Sequence, residues 1–133
     1  MPVELQVLAY AGLLQGVQFV LMAVAVNLQV GPRSTTGPRD EPLEVTGIPG
    51  RLMRAMNNHF EALILFTLAV VVVVTGAYRS AFTGQCAWVY LIARILYVPA
   101  YVSGVPLVRS LIWFVGFGAT MAMLLSAVGW LPA

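Results

Sequence analysis

The sequence predicts an all-α integral membrane protein, a single domain of four transmembrane helices in an up-down bundle. Three observations carry this. The 133 residues are 60% hydrophobic and only 9% charged, whereas a soluble domain carries about a quarter charged residues. Four stretches are long and apolar enough to cross a bilayer, a crossing that takes about 20 mainly apolar residues. The links joining the last three are short, and short links make consecutive helices antiparallel neighbours.

The first span covers residues 3–30. It is too long for the apolar region of a signal peptide, and it lacks a basic start and a small-residue cleavage site. Its GLLQG segment at 12–16 is a small-xxx-small pattern. That pattern reads either as a close helix approach or as the ordinary glycine content of membrane helices. Gln15 and Gln18 are expected to face protein, because an unpaired amide in hydrocarbon is costly. Residues 31–50, GPRSTTGPRDEPLEVTGIPG, form a polar loop rich in Gly and Pro.

The second span covers 51–78, with its hydrocarbon part after Ala55, and the link 79–84 leads to the third span at 85–103. Pro99 lies inside that span and removes one backbone hydrogen bond. It either kinks the helix and opens a cleft beneath Tyr101, or is simple packing, since membrane helices tolerate proline. SGVP at 103–106 is a tight turn, and the fourth span covers 108–131.

All seven basic residues are arginine, and their placement sets an orientation. Arg33, Arg39, Arg51, Arg54 and Arg109 fall at one surface, and Arg79 at the other. Under the positive-inside rule, loops 31–50 and 103–107 face the cytoplasm and both termini face outward. Trp88 and Trp130 then lie near the outer boundary, where an aromatic belt forms. The net charge of +2 is too small to indicate a nucleic-acid partner. The single cysteine, Cys86, forms no intrachain disulfide and reads as an inert buried thiol.

The residues RLMRAMNNHFEALILF at 51–66 bring unusual polarity into a span. A helix turns about 100° per residue, so Arg51, Arg54, Asn58 and Glu61 share one face within roughly 80°. Tyr90, Arg94, Tyr97 and Tyr101 share a face of the third helix by the same count. Ionisable residues inside a membrane are costly and face the protein interior or a cavity. At 1.5 Å rise per residue, Glu61 lies roughly 15 Å from Arg51, and Arg94 roughly 13–14 Å from Ser103. The two therefore share a depth, and a Glu61–Arg94 ion pair is expected.

Arg109 and Ser110 open the fourth helix, where free N–H groups and the helix dipole favour a carboxylate or thiolate. Alternatively, Ser110 caps the backbone and Arg109 snorkels to lipid phosphate. The polar segment is thus either one wall of an arginine-rich, aromatic-lined cleft or interhelical polar glue. His59 lies off the polar stripe and reads as a packing or interfacial residue. With one histidine and one cysteine, no metal site is expected.

RLMRAMNNHFEALILF resembles the second-helix signature of the MAPEG family, the membrane-associated proteins in eicosanoid and glutathione metabolism, through Arg51, Arg54, Ala55, Asn58, Glu61 and Phe66. RILYVPAYVSGVPLVRS resembles the family's third helix and the start of its fourth, through Arg94, Tyr101, Arg109 and Ser110. The bacterial branch is the nearest in character. The resemblance implies a homotrimer of four-helix bundles in the bacterial inner membrane, with glutathione bound between protomers near the cytoplasmic side.

It also implies roles for single residues. Arg54, Asn58, Glu61 and Tyr101 would hold the tripeptide. Arg109, with Ser110 beside it, would stabilise the thiolate. Arg51, Arg94 and Tyr97 join the cofactor-binding set through the faces they share. The implied activity is a glutathione-dependent transferase or peroxidase acting on lipophilic small molecules drawn from membrane lipid. A non-catalytic relative that binds lipid or another amphipathic anion is the alternative. The chain departs from the best-known members at Asn57, where a basic residue is frequent, at His59, where an acidic one is common, and at Tyr97 and Trp113. A small multidrug transporter of similar length would need a membrane-embedded carboxylate early in its first helix. Glu4 stands too near the terminus for that role.

Overall fold

A computed structural model of the chain describes residues 1–31 and 46–131. The expectations for Arg33, Arg39 and most of the 31–50 loop lie outside the described residues. Four helices account for the fold: α1 (Val3–Val30), α2 (Gly47–Thr75), α3 (Ala81–Ser103) and α4 (Pro106–Ala127). Each is long and apolar enough to cross a membrane. The chain is an integral membrane protein, and the all-α four-helix class read from the sequence holds.

Three helices begin earlier than hydropathy alone suggests, and local chemistry explains it. Pro49 sits in the first turn of α2, where its missing N–H would have had no helical partner anyway. The Gln29 side chain donates to the Thr46 carbonyl at 2.9 Å and accepts from Thr46 N–H at 3.0 Å. It thereby ties the start of α2 to the end of α1. A capping box starts α3: Ser80 Oγ accepts from Thr83 N–H at 3.2 Å, and Thr83 Oγ1 accepts from Ser80 N–H at 2.9 Å. Such a box satisfies backbone donors that the first helical turn leaves free. Pro106 opens α4 at its first turn.

The connection from α3 to α4 is held from α2. Arg51 Nη1 donates to the Val102 carbonyl at 2.9 Å, satisfying one of the acceptors exposed at the end of α3. Gly104 follows with φ of 79°, a left-handed conformation that glycine adopts without penalty. A side chain there would also crowd the guanidinium, since a Cβ would stand 3.2 Å from Arg51 Cζ.

Helices α2 and α3 pack on each other and on both remaining helices, with α1 and α4 on opposite flanks. The apolar core occupies the half of the bundle nearer Arg79. Val7, Ala11, Phe66, Ala69, Val70, Val73, Ala87, Tyr90 and Met123 are buried there. Phe66 stacks on Tyr90 with ring centroids 3.9 Å apart. Outward positions such as Leu13, Phe19, Leu68, Ile92 and Phe114 are exposed, as suits a lipid-facing surface.

Gln18 is buried and Gln15 partly so, which agrees with their expected inward orientation. Gly12 and Gly16 have nothing near enough to meet an added Cβ. The small-xxx-small pattern therefore makes no close helix approach within the chain. α3 runs unbroken through Pro99.

The Arg79 end carries a clasp that hydropathy and helical periodicity do not predict. Glu4 is 1% exposed. Its Oε1 accepts from Arg79 Nε at 3.0 Å and its Oε2 accepts from Thr83 Oγ1 at 2.8 Å. This joins the start of α1 to the α2–α3 link and the first turn of α3. Cys86 is buried and unpaired with any other cysteine.

Candidate functional site

The other half of the bundle is built differently. Here α2, α3 and α4 present polar and aromatic side chains to a shared interior. Two cavities result. A cleft of about 300 Å³ is lined by Asn58 from α2, Tyr97 and Tyr101 from α3, and Arg109, Ser110, Trp113 and Phe114 from α4. Behind it lies a chamber of about 220 Å³, whose walls include Asn58, Glu61, Tyr90, Arg94, Trp113, Gly116 and Thr120. Asn58 and Trp113 border both.

The i, i+4 spacing on α3 brings two phenol rings to the cleft wall. Tyr97 and Tyr101, one turn apart, lie with ring centroids 5.6 Å apart. The Arg109 guanidinium, in the first turn of α4, stands 4.8 Å from the Tyr101 ring centroid. Arg54 approaches the same tyrosine from α2 and donates from Nε to its hydroxyl at 3.2 Å. Two arginines thus converge on one phenol, each close enough for a cation–π contribution. Both keep further N–H donors for an incoming anion.

The chamber is dominated by Arg94, which is 2% exposed. Its guanidinium lies 4.2 Å from the Tyr97 ring centroid. Its Nη2 is buried without a hydrogen-bond partner, as are the Tyr90 hydroxyl and Asn58 Oδ1. Buried polar atoms are nearly always bonded, and these three belong to residues that border one chamber. Trp113 stacks on Phe117 with centroids 5.0 Å apart and forms the apolar side of the wall. Glu61 also borders a groove along α2 lined by Ile64, Leu65, Leu68 and Val71.

The expected Glu61–Arg94 ion pair does not form. Among the described residues the salt bridge within 4.0 Å is Arg79–Glu4. Depth matching along two helices was sound, because Glu61 and Arg94 border the same chamber. Rotation about the helix axes was not constrained by it. Glu61 lies on the exposed flank of α2, while Arg94 turns inward to Tyr97 and to His59, whose Nδ1 accepts from Arg94 Nε at 3.4 Å.

Of the residues singled out in the sequence, Asn58, Tyr97, Tyr101, Arg109 and Ser110 meet in the cleft. Glu61 and Arg94 meet in the chamber. Arg54 reaches the cleft through Tyr101. Arg51 borders neither cavity, its Nη1 being committed to Val102. Tyr90, Gly116 and Thr120 were not assigned to the site. Tyr90 could have been, since it shares the face of Arg94 one turn away.

The family model described as the MAPEG family covers residues 7–129. No curated protein matches the sequence.

Proposed function

Because the chain belongs to the MAPEG family, which includes glutathione-dependent transferases and peroxidases as well as non-catalytic members, we propose that it is a glutathione-dependent membrane transferase or peroxidase. Its acceptors are lipophilic electrophiles or lipid peroxides. The observation that carries this reading is the convergence of Asn58, Tyr97, Tyr101, Arg109 and Ser110 on one cleft.

Glutathione occupies the cleft as co-substrate. Guanidinium forks suit its two carboxylates, because paired N–H donors match carboxylate oxygens. Arg54, Asn58, Glu61 and Tyr101 hold the tripeptide, with Arg94 and Tyr97 behind them. Arg51 supports them by fixing the turn that leads into α4. Arg109, with the Ser110 hydroxyl beside it, faces the sulfur. Fixed positive charge favours the thiolate, the nucleophilic form of the thiol. The second substrate arrives from the bilayer, and the apolar groove on α2 beside Glu61 suits its chain.

Arg54 and Glu61 both lie on the exposed flank of α2. This supports a homotrimer in which a neighbouring protomer completes the site. The arginine-rich end faces the cytoplasm of a bacterial inner membrane, with both termini outside.

Glutathione added to detergent-purified protein should bind at millimolar concentration and give a thiolate band in ultraviolet difference absorbance. Arg109→Ala should lower the thiolate fraction. No binding with the assembly intact would overturn the reading, and an unchanged thiolate fraction would remove Arg109 from its role. A non-catalytic lipid binder is the second reading, favoured by the exposed neutral Asn57. It predicts lipid that co-purifies without any thiol chemistry.

A further inference from the structure

His59 is fully buried and borders neither the cleft nor the chamber. Its ring bridges two other helices. Nε2 lies 3.0 Å from the Ala11 carbonyl oxygen on α1, and Nδ1 faces Arg94 Nε at 3.4 Å on α3. These two partners fix the tautomer. A carbonyl oxygen only accepts, so Nε2 carries the ring proton. A guanidinium only donates, so Nδ1 must present its lone pair. The opposite tautomer would set two donors against each other at Arg94 and two acceptors against each other at Ala11. An imidazolium would keep the first of those clashes.

We propose that His59, as the neutral Nε2–H tautomer, is a positioning residue that aims the Arg94 guanidinium into the chamber. The relay runs from the Ala11 carbonyl through the imidazole to Arg94 Nε. With Nε held from behind and the Tyr97 ring 4.2 Å from the guanidinium carbon, the guanidinium is fixed on two sides in a residue that borders the chamber, and its Nη2 has no partner within the chain. A free arginine side chain would lose rotamer freedom on binding a ligand. Here that ordering is done in advance. The choice of acceptor matters as well. A carboxylate in place of the imidazole would hold the guanidinium but cancel its charge, whereas a neutral ring holds it and leaves the charge available. α1, which contributes no lining residue to either cavity, thereby helps to set the geometry of the site.

The inference rests on the reading of these cavities as a ligand site, and the experiment separates the two. His59 is the only histidine, so histidine-selective ¹⁵N labelling of the full chain in detergent or nanodiscs gives one pair of ring nitrogens. The expected spectrum has a protonated Nε2 and an unprotonated Nδ1. Arg94→Met should move the Nδ1 resonance and leave Nε2 nearly in place. An Nδ1–H tautomer, a doubly protonated ring, or an Nδ1 signal indifferent to Arg94→Met would overturn the relay.

Glutathione titration supplies the second arm. His59→Leu should weaken binding about tenfold or more, the scale of losing one bond to a charged group. His59→Gln, whose amide offers a donor and an acceptor in the same order, should stay within about threefold of the parent. Equal losses in both variants, or none in either, would overturn the positioning role. Absence of glutathione binding in the parent protein would sink the proposed function, while the nitrogen spectrum would still decide the relay. If His59→Leu does not fold, the glutamine variant and the spectrum decide it.

Discussion

Replacing Arg79 with alanine should destabilise the bundle by about 2 kcal/mol, although Arg79 lies far from the cleft. The Glu4 side chain is 1% exposed, while that of Arg79 is 44% exposed. Glu4 Oε1 depends on Arg79 Nε at 3.0 Å, and Oε2 on Thr83 Oγ1 at 2.8 Å. A hydrogen bond to a charged group contributes about 1.5–3 kcal/mol, and removing one partner of a fully buried pair costs about 3–5 kcal/mol. Water already reaches Arg79, so it enters the space left by the missing guanidinium and solvates part of the stranded charge. That places the loss near the lower end of these ranges.

Glu4→Gln should cost less, about 1 kcal/mol, because the amide keeps an acceptor and carries no buried charge. In the double variant the stranded charge is gone, so the two losses should not add, with a coupling of about 1–2 kcal/mol. The assay is a double-mutant cycle on denaturant unfolding in mixed micelles, followed by far-ultraviolet circular dichroism. Strict additivity, or an Arg79→Ala loss under about 0.5 kcal/mol, would show that the clasp is a solvated surface pair and not a buried tie.

Other expectations are equally specific. Gly116→Ala should fold at least as stably as the parent. Its Cβ would meet Ala93 at an ordinary 3.5 Å, and alanine is favoured over glycine inside a helix by up to about 1 kcal/mol. A thermal midpoint well below the parent's would contradict this. Gly104→Ala should lose about 1–2 kcal/mol, since the residue sits at φ of 79° with the Arg51 guanidinium 3.2 Å from the new methyl and the left-handed backbone is costly for an L-residue. The same unfolding assay reads it. Tyr101→Phe keeps the ring under Arg109 but removes the acceptor of Arg54 Nε. It should weaken glutathione binding by up to about tenfold in calorimetry and leave the unfolding midpoint nearly unchanged.

Much of this architecture was legible in the sequence because membrane spans obey strong constraints. Length and hydropathy located all four helices, and the 3.6-residue period put Tyr97 and Tyr101 on one face of α3, where they meet Asn58, Arg109 and Ser110. What failed shares a physical origin. Rise per residue gives the depth of a side chain, but not where a long flexible arginine turns. Arg94 was matched by depth to Glu61, yet its guanidinium reaches His59, a residue that helical geometry places about 100° from Asn58. Arg51 was read as a ligand group because it shares the polar stripe. Its hydrogen bond goes instead to a backbone carbonyl that no side-chain pattern reveals. Glu4 looked like a terminal charge, and Arg79 like a marker of orientation. Only three-dimensional proximity, 75 positions apart in sequence, shows that they hold one end of the bundle closed. The early starts of α2 and α3 were missed because hydropathy does not register Pro49 or the Ser80–Thr83 capping box.

The proposed function requires that the cleft between α2, α3 and α4 take an anion. The most direct measurement is a density map of the detergent-purified protein with glutathione at millimolar concentration. Ligand density is expected against Arg109, Ser110 and Tyr101, absent from a map recorded without glutathione. An empty cleft with Arg109 turned out to the detergent belt, in protein whose helices are otherwise intact, would contradict the proposed function.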